Sequence, residues 1–394
     1  MYSTSTVKTS YSSHPFKLLS YSELDDVQCL RGFCAFYVVV YHAKFILWCG
    51  GQQYLLAHPR AQWGLLEYLA FALDMLSGAG YEMVVFFFVL SGFFIRHAEL
   101  KKQGTAHSFY LNRVKRIYPP FVVACFLAVG CLLLAHQLAP KAFVAGSDRE
   151  LNRSLALAMQ ELRQIDSASF IRALTFRPLQ NLHIGYNNVY WSLLPEAIFY
   201  LLVPLAFYNV RLYYIISLIA FLVGILELAP TNHFLQSYLF TYNGYFALGV
   251  AFYDVCTNTR WLEVAQRIPK WALAGTITIL FALVLGLALL HRQNLSGAVA
   301  ALLAVGCMSA LLTKRVSSKT LLLKAFHEVG IFSFSLYLYH FPLLILCYAG
   351  LVFLTGQTLI YARYYWLALP LVTCVAYALY QISERLFVQY FRRH

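Results

Sequence analysis

Charge is the scarcest property of this chain. Only 12% of its 394 residues are Asp, Glu, Lys or Arg, against 60% hydrophobic; a soluble globular domain carries about a quarter charged residues. With a mean hydropathy of +0.62, that shortage excludes an ordinary soluble fold and indicates a polytopic membrane protein. Acidic residues are the rarer kind: 17 Asp and Glu stand against 30 Lys and Arg, a formal charge of +13. In a membrane chain the position of positive charges matters more than their sum, so no nucleic-acid partner is expected. A short apolar h-region is missing from residues 1–26, which are polar and rich in Ser, Thr and Tyr, so no cleavable signal peptide is expected. The nine cysteines form no CxxC pair, which argues against a disulfide framework and a zinc site, and no metal is expected. Cys34, Cys125, Cys131, Cys307, Cys347 and Cys374 fall in apolar runs and read as packing or lipid-facing residues. No internal repeat is apparent.

Long apolar runs are what the chain has. The fold class expected is all-α: a membrane helix bundle of about ten spans, each about 20 residues long to cross the hydrocarbon. They centre on 29–49, 81–97, 118–136, 190–208, 212–229, 235–255, 271–290, 295–313, 330–353 and 364–384. The expected organisation is a tail over 1–26, a membrane domain over 27–388 and a second tail over 389–394. One set of loops holds Arg96, Lys101, Lys102, Arg113, Lys115, Arg116, Arg211, Arg260, Arg267, Lys270, Lys314, Arg315, Lys319 and Lys324, with Arg385, Arg392 and Arg393 in the tail. The opposite short loops hold only Arg60, Arg292 and Arg363. That asymmetry puts the first set and both termini in the cytoplasm. Two external segments stand out. Trp63 to Leu76 is apolar but too short to span, with Glu67 and Asp74 seven apart along one edge. Between about 137 and 189, Ser147-Asp148-Arg149-Glu150 reads as a capping box. Behind it Leu151, Leu155, Ala158, Leu162 and Ile165 recur at helical spacing, which predicts an amphipathic helix on the outer membrane surface.

Ionisable groups inside apolar runs mark function by default. Arg31 opens the first span and His42 sits within it. On a helix the two share a face to within about 20° and lie roughly 16 Å apart along the axis. A packing histidine explains a lone imidazole about as well, but neutral imidazole is also the usual base for a hydroxyl proton. Ser91-Gly92 reads most simply as a small pair admitting a neighbouring helix, and Glu82 is either interfacial or faces a site. Arg113 and Arg116, three apart, project from one face beside Lys115. Ordinary positive-inside charge explains most such residues; the alternative is an anion site, because paired guanidiniums grip phosphates. Glu196 follows Trp191-Ser192-Leu193-Leu194-Pro195 about 10 Å below the outer surface. His340 lies at half depth in the ninth span, so His42, His340 and Glu196 share one layer.

In order, these blocks resemble the acyltransferase-3 family of integral membrane O-acyltransferases. The similarity lies in Leu30-Arg31-Gly32 with His42, Phe87-Phe88-Val89-Leu90-Ser91-Gly92-Phe93, and Arg113-Val114-Lys115-Arg116 before Ile117-Tyr118-Pro119. It continues through Trp191-Ser192-Leu193 with Glu196, Tyr200 and Pro204, then Ser335 to Pro342, then Glu384-Arg385. Pro195 before Glu196 and Leu386 after Glu384-Arg385 depart from the family pattern and bear on local helix geometry. The resemblance implies a stand-alone member, without a fused hydrolase-like domain, in a bacterial inner or plasma membrane. It would move an acetyl group from cytoplasmic acetyl-CoA to a hydroxyl of an exported or lipid-linked glycan, such as a lipopolysaccharide O-antigen sugar. By position, His42 would be the base, and Arg31, Arg113 and Arg116, with Lys115 beside them, would serve the CoA phosphates. Glu196 and His340 are candidates to hold the imidazole. Two other readings explain less: a glycolipid or acyl-group carrier using His and Glu as a proton relay, and a purely structural membrane component.

Overall fold

The computed structural model describes residues 18–102, 105–228, 235–316 and 320–387. The expected tail over 389–394, and residues 1–17 of the expected tail over 1–26, lie outside the described residues. Helices in chain order are α1 (Tyr21–Leu47), α2 (Gly51–Ala57), α3 (Leu65–Leu76), α4 (Gly80–Lys102), α5 (Ala106–Leu138), α6 (Glu150–Arg163), α7 (Ser167–Leu174) and α8 (Leu193–Tyr208). They continue with α9 (Val210–Ile225), α10 (Asn243–Cys256), α11 (Thr259–Arg267), α12 (Lys270–Leu289), α13 (Gln293–Leu312), α14 (Leu321–Ile331), α15 (Ser333–Thr355) and α16 (Tyr365–Tyr380). Eight described stretches are long and apolar enough to cross a membrane. Two further stretches stand where spans were expected: α9, which is shorter, and α10 preceded by the π-helical turns Leu235–Tyr242. The chain is an all-α, multi-pass integral membrane protein.

The first helix is the axis. Ser20 and Glu23 close a capping box at its start, Glu23 accepting from the Ser20 N–H at 2.7 Å and Ser20 Oγ from the Glu23 N–H at 3.3 Å. α1 is packed by α4, α13, α14, α15 and α16, so it needs apolar residues on every side rather than one stripe. Gly32 lets α14 approach: a Cβ there would lie 1.7 Å from the Phe326 carbonyl oxygen. α4 and α10 meet through reciprocal glycines, with Gly92 against the Phe246 carbonyl and Gly249 against that of Val89. The small-residue reading of Ser91-Gly92 therefore describes the packing, and Ser91 has a second use described below.

Two details outside the spans differ from expectation. No capping box starts α6: its N-cap is Arg149, with no side-chain cap bond, and Ser147 Oγ accepts from the Arg149 N–H at 3.2 Å in the preceding turn. The Arg149 side chain is engaged elsewhere, donating to the Ile46 and Phe45 carbonyls at the end of α1 at 2.7 and 3.3 Å. α6 is amphipathic, but Leu151, Leu155 and Ala158 are buried within the protein, and the helix ends at Arg163, before Ile165. In α3 the leucines face outward while Glu67 and Asp74 turn to one guanidinium, that of Arg363, at 2.8 and 2.9 Å. Burial opposes the charge on Arg363, but its hydrogen bonds to the two carboxylates outweigh that and raise its pKa.

Candidate active site

Two groups of ionisable side chains lie along α1, one near each end. Toward its start, Arg31 from α1 and Arg113 and Arg116 from α5 line a cavity of about 240 Å³ together with Ser91, Glu196 and Tyr200. Arg113 and Arg116 share this wall because residues three apart on a helix face the same way. Lys115, about 200° round from Arg113 and 100° from Arg116, does not line it. The Arg31 guanidinium sits 5.7 Å above the Phe94 ring, and that of Arg113 lies 5.3 Å from Phe109 and 5.4 Å from Tyr200. The Nε atoms of both arginines are buried without a hydrogen-bond partner. Buried donors of that kind are expensive unless something anionic meets them.

Glu196 belongs to this group. Ser91 Oγ donates to it at 3.4 Å, and the Tyr200 hydroxyl donates to the same oxygen. Glu384, which accepts from Ser335 Oγ at 2.7 Å, adds a second carboxylate within electrostatic reach of Arg31 and Arg116. Three cations thus face two carboxylates, leaving net positive charge in a partly enclosed space. A narrower cavity of about 50 Å³ shares Arg31, Ser91, Glu196 and Phe334 with the first and continues to Tyr337.

Behind Tyr337 lies the second group. The Tyr337 ring is 6.0 Å from that of His340, and His340 Nε2 is 2.9 Å from His42 Nδ1. His340 is fully buried, its Nδ1 lying 3.0 Å from the Leu336 carbonyl oxygen. That geometry fixes the proton positions, because a carbonyl oxygen only accepts. His340 Nδ1 therefore carries a proton and, in the neutral ring, Nε2 is the acceptor. His42 then donates through Nδ1–H, which leaves the lone pair on its Nε2. Among the described residues, His42 Nε2 has no hydrogen-bond partner, and His42 is only partly buried. An imidazole held in one tautomer with a free Nε2 is the arrangement of a general base.

Of the residues singled out from sequence, His42 and His340 are in contact and Arg31, Arg113, Arg116 and Glu196 share a cavity. The layer expected for His42, His340 and Glu196 splits, with Glu196 on the arginine side. Glu82 is at neither group; it accepts from Ser296 Oγ of α13 at 2.6 Å. Tyr337 and Ser335 were visible only as letters within a motif, and their places depend on which face of α15 meets α1.

A family model described as an acyltransferase domain matches residues 24–381. An uncharacterized protein of Haemophilus influenzae (strain ATCC 51907 / DSM 11121 / KW20 / Rd) is 28% identical over 186 residues, covering 44% of this chain and 71% of that protein. No solved structure matches. A match spanning α1 to α16, over the helices that build both groups, makes this membrane protein a member of the acyltransferase-3 family.

Proposed function

We propose that the protein is an O-acetyltransferase that takes acetyl from cytoplasmic acetyl-CoA and delivers it to a hydroxyl of an exported surface glycan, with His42 as the base. The observation that carries this reading is the arrangement along α1: an arginine-lined cavity, a narrow extension to Tyr337, and beyond it an imidazole pair with one free nitrogen. The phosphates of the CoA nucleotide would lie against Arg31, Arg113 and Arg116, where guanidiniums with unpartnered nitrogens offer charge-assisted hydrogen bonds. The pantetheine arm, long and thin, would carry the thioester through the narrow extension and past Tyr337.

At the histidines, His42 Nε2 takes the proton of the acceptor hydroxyl as that oxygen attacks the thioester carbonyl carbon. The tetrahedral intermediate collapses with breakage of the carbon–sulfur bond, and the departing thiolate takes the proton back from His42. The product is an acetyl ester plus CoA, and the enzyme returns to its starting protonation. His340 acts through His42, accepting from Nδ1–H and so keeping Nε2 free. Both termini and the arginine end would face the cytoplasm of a bacterial inner membrane, consistent with the basic loops at that end.

The test is donor binding. Replacing Arg113 and Arg116 together with alanine removes two charged hydrogen-bonding groups worth roughly 1.5–3 kcal/mol each, so acetyl-CoA binds at least tenfold more weakly. Acetyl-pantetheine, which lacks the nucleotide phosphates, should bind both proteins alike. Unchanged acetyl-CoA affinity would defeat the phosphate assignment.

A further inference from the structure

A third cavity, of about 490 Å³, opens at the opposite end of α1 from the arginines. Its volume falls in the range of small-ligand sites, about 300–1,000 Å³. Tyr41 and Lys44 of α1, Gln53 of α2, and Asp148, Glu150 and Arg153 at the start of α6 line it. We propose that this cavity is the acceptor subsite, and that it takes the pyranose ring of a sugar whose hydroxyls donate to Asp148 and Glu150. This rests on the acyl-transfer reading above and adds to it the place of the acceptor and the groups that hold it.

The first support is position. The Tyr41 ring lies 5.2 Å from that of His42, edge to face, so the cavity wall adjoins the base. A sugar entering here does not compete with a nucleotide held at Arg31, Arg113 and Arg116, on the other side of the imidazole pair.

The second support is the hydrogen-bonding inventory. Arg153 donates to the Ser147 carbonyl at 2.7 Å, and Lys44 donates to that of Asp74. Arg149, which is buried, donates to the Ile46, Phe45 and Thr358 carbonyls and lies 4.7 Å from the Tyr348 ring. The side chains of Asp148 and Glu150 are exposed and, among the described residues, accept no hydrogen bond and make no ion pair. Asp148 and Glu150 therefore stand as free acceptors in this cavity, beside the Tyr41 hydroxyl and the Gln53 amide. A carboxylate suits a hydroxyl donor and accepts from a vicinal pair with its two oxygens, and the Tyr41 ring offers an apolar face beside it.

The third support is mechanical. Arg149 joins the start of α6 to the end of α1, so the carboxylates on either side of it in sequence are fixed relative to the helix that carries His42.

The experiment uses the full chain in lipid nanodiscs, with the methyl glycosides of glucose, galactose and mannose as probes read by saturation-transfer NMR. At least one neutral glycoside binds, and Asp148→Asn with Glu150→Gln weakens it roughly tenfold or more, as expected when two charge-assisted hydrogen bonds are lost. Glu150→Asp, which keeps the carboxylate, retains most of the binding. The proposal is overturned if none of the three glycosides binds the wild type, or if the double variant binds them unchanged. Acetyl-CoA affinity, measured on the same samples, separates the two readings. A wild type that binds acetyl-CoA but no glycoside defeats the subsite alone, whereas one that binds glycosides but no acetyl-CoA defeats the donor assignment.

Discussion

Replacing His340 with leucine removes the hydrogen-bond acceptor at 2.9 Å from His42 Nδ1 while leaving the volume at a fully buried position nearly filled. Nothing then distinguishes the two tautomers of His42, and its ring is free to turn about the Cβ–Cγ bond. A neutral hydrogen bond contributes roughly 0.5–1.5 kcal/mol net, and stranding a buried donor costs about 1–3 kcal/mol. Charging about 1–2 kcal/mol of this to the transition state lowers kcat roughly 5- to 30-fold, since about 1.4 kcal/mol is tenfold. The donor site, built on other side chains, keeps its KM for acetyl-CoA. His340→Gln retains an amide oxygen that accepts from Nδ1–H and recovers part of the rate. The assay is steady-state acetyl transfer by the purified protein, with thermal unfolding measured on each variant. Wild-type kcat in a folded His340→Leu protein would refute the positioning role, and so would a loss expressed entirely as weaker acetyl-CoA binding.

Other perturbations probe the frame around the site. Gly92→Ala places a Cβ 2.0 Å from the Phe246 carbonyl oxygen, forces α4 and α10 apart, and lowers stability by about 1–3 kcal/mol. Gly275→Ala meets nothing within 4 Å and leaves the unfolding midpoint unchanged or higher. Arg363→Ala strands the buried Asp74 carboxylate and frees Glu67; losing one partner of a buried pair costs about 3–5 kcal/mol, read as a fall in melting temperature and faster proteolysis between α2 and α3. Burial pushes His183, outside the spans, down to about 4. The unfolded chain takes up a proton at about 6.5 that the folded chain refuses. Stability conferred by the neutral ring is therefore complete above about 6.5 and is lost as pH falls toward about 4, a slope that His183→Gln should flatten.

Depth could be read from the chain in part, and azimuth could not. Residue counts at about 1.5 Å per residue placed His42 and His340 at a common level, and α1 and α15 do bring them into contact. The same arithmetic put Glu196 in that layer, yet it sits with Ser91, Tyr200 and the arginines, toward the start of α1. Arg113 and Arg116 were legible as one face because their spacing is local, and the same helical geometry turns Lys115 away. The seven-residue spacing of Glu67 and Asp74 showed a polar edge, but nothing in it pointed to Arg363 across nearly the whole chain. The motif at Ser147 to Glu150 misled for a related reason: Arg149 is drawn to the carbonyls ending α1, a partner about a hundred residues earlier, and takes the N-cap position with it. Glu384 was present in a matched block, and only the packing of the last helix against α5 and α15 brings it to Arg31 and Arg116.

The central claim is that the free nitrogen of His42 removes the proton of the hydroxyl that becomes acylated. The most direct measurement is the rate of acetyl transfer from acetyl-CoA to the surface glycan by His42→Ala, made at wild-type protein levels, with acetyl-CoA binding measured on the same preparation. The account predicts that transfer falls by about 10²–10⁴-fold, the usual contribution of a positioned base, while acetyl-CoA affinity stays at the wild-type value. Full transfer by a folded His42→Ala protein would contradict it.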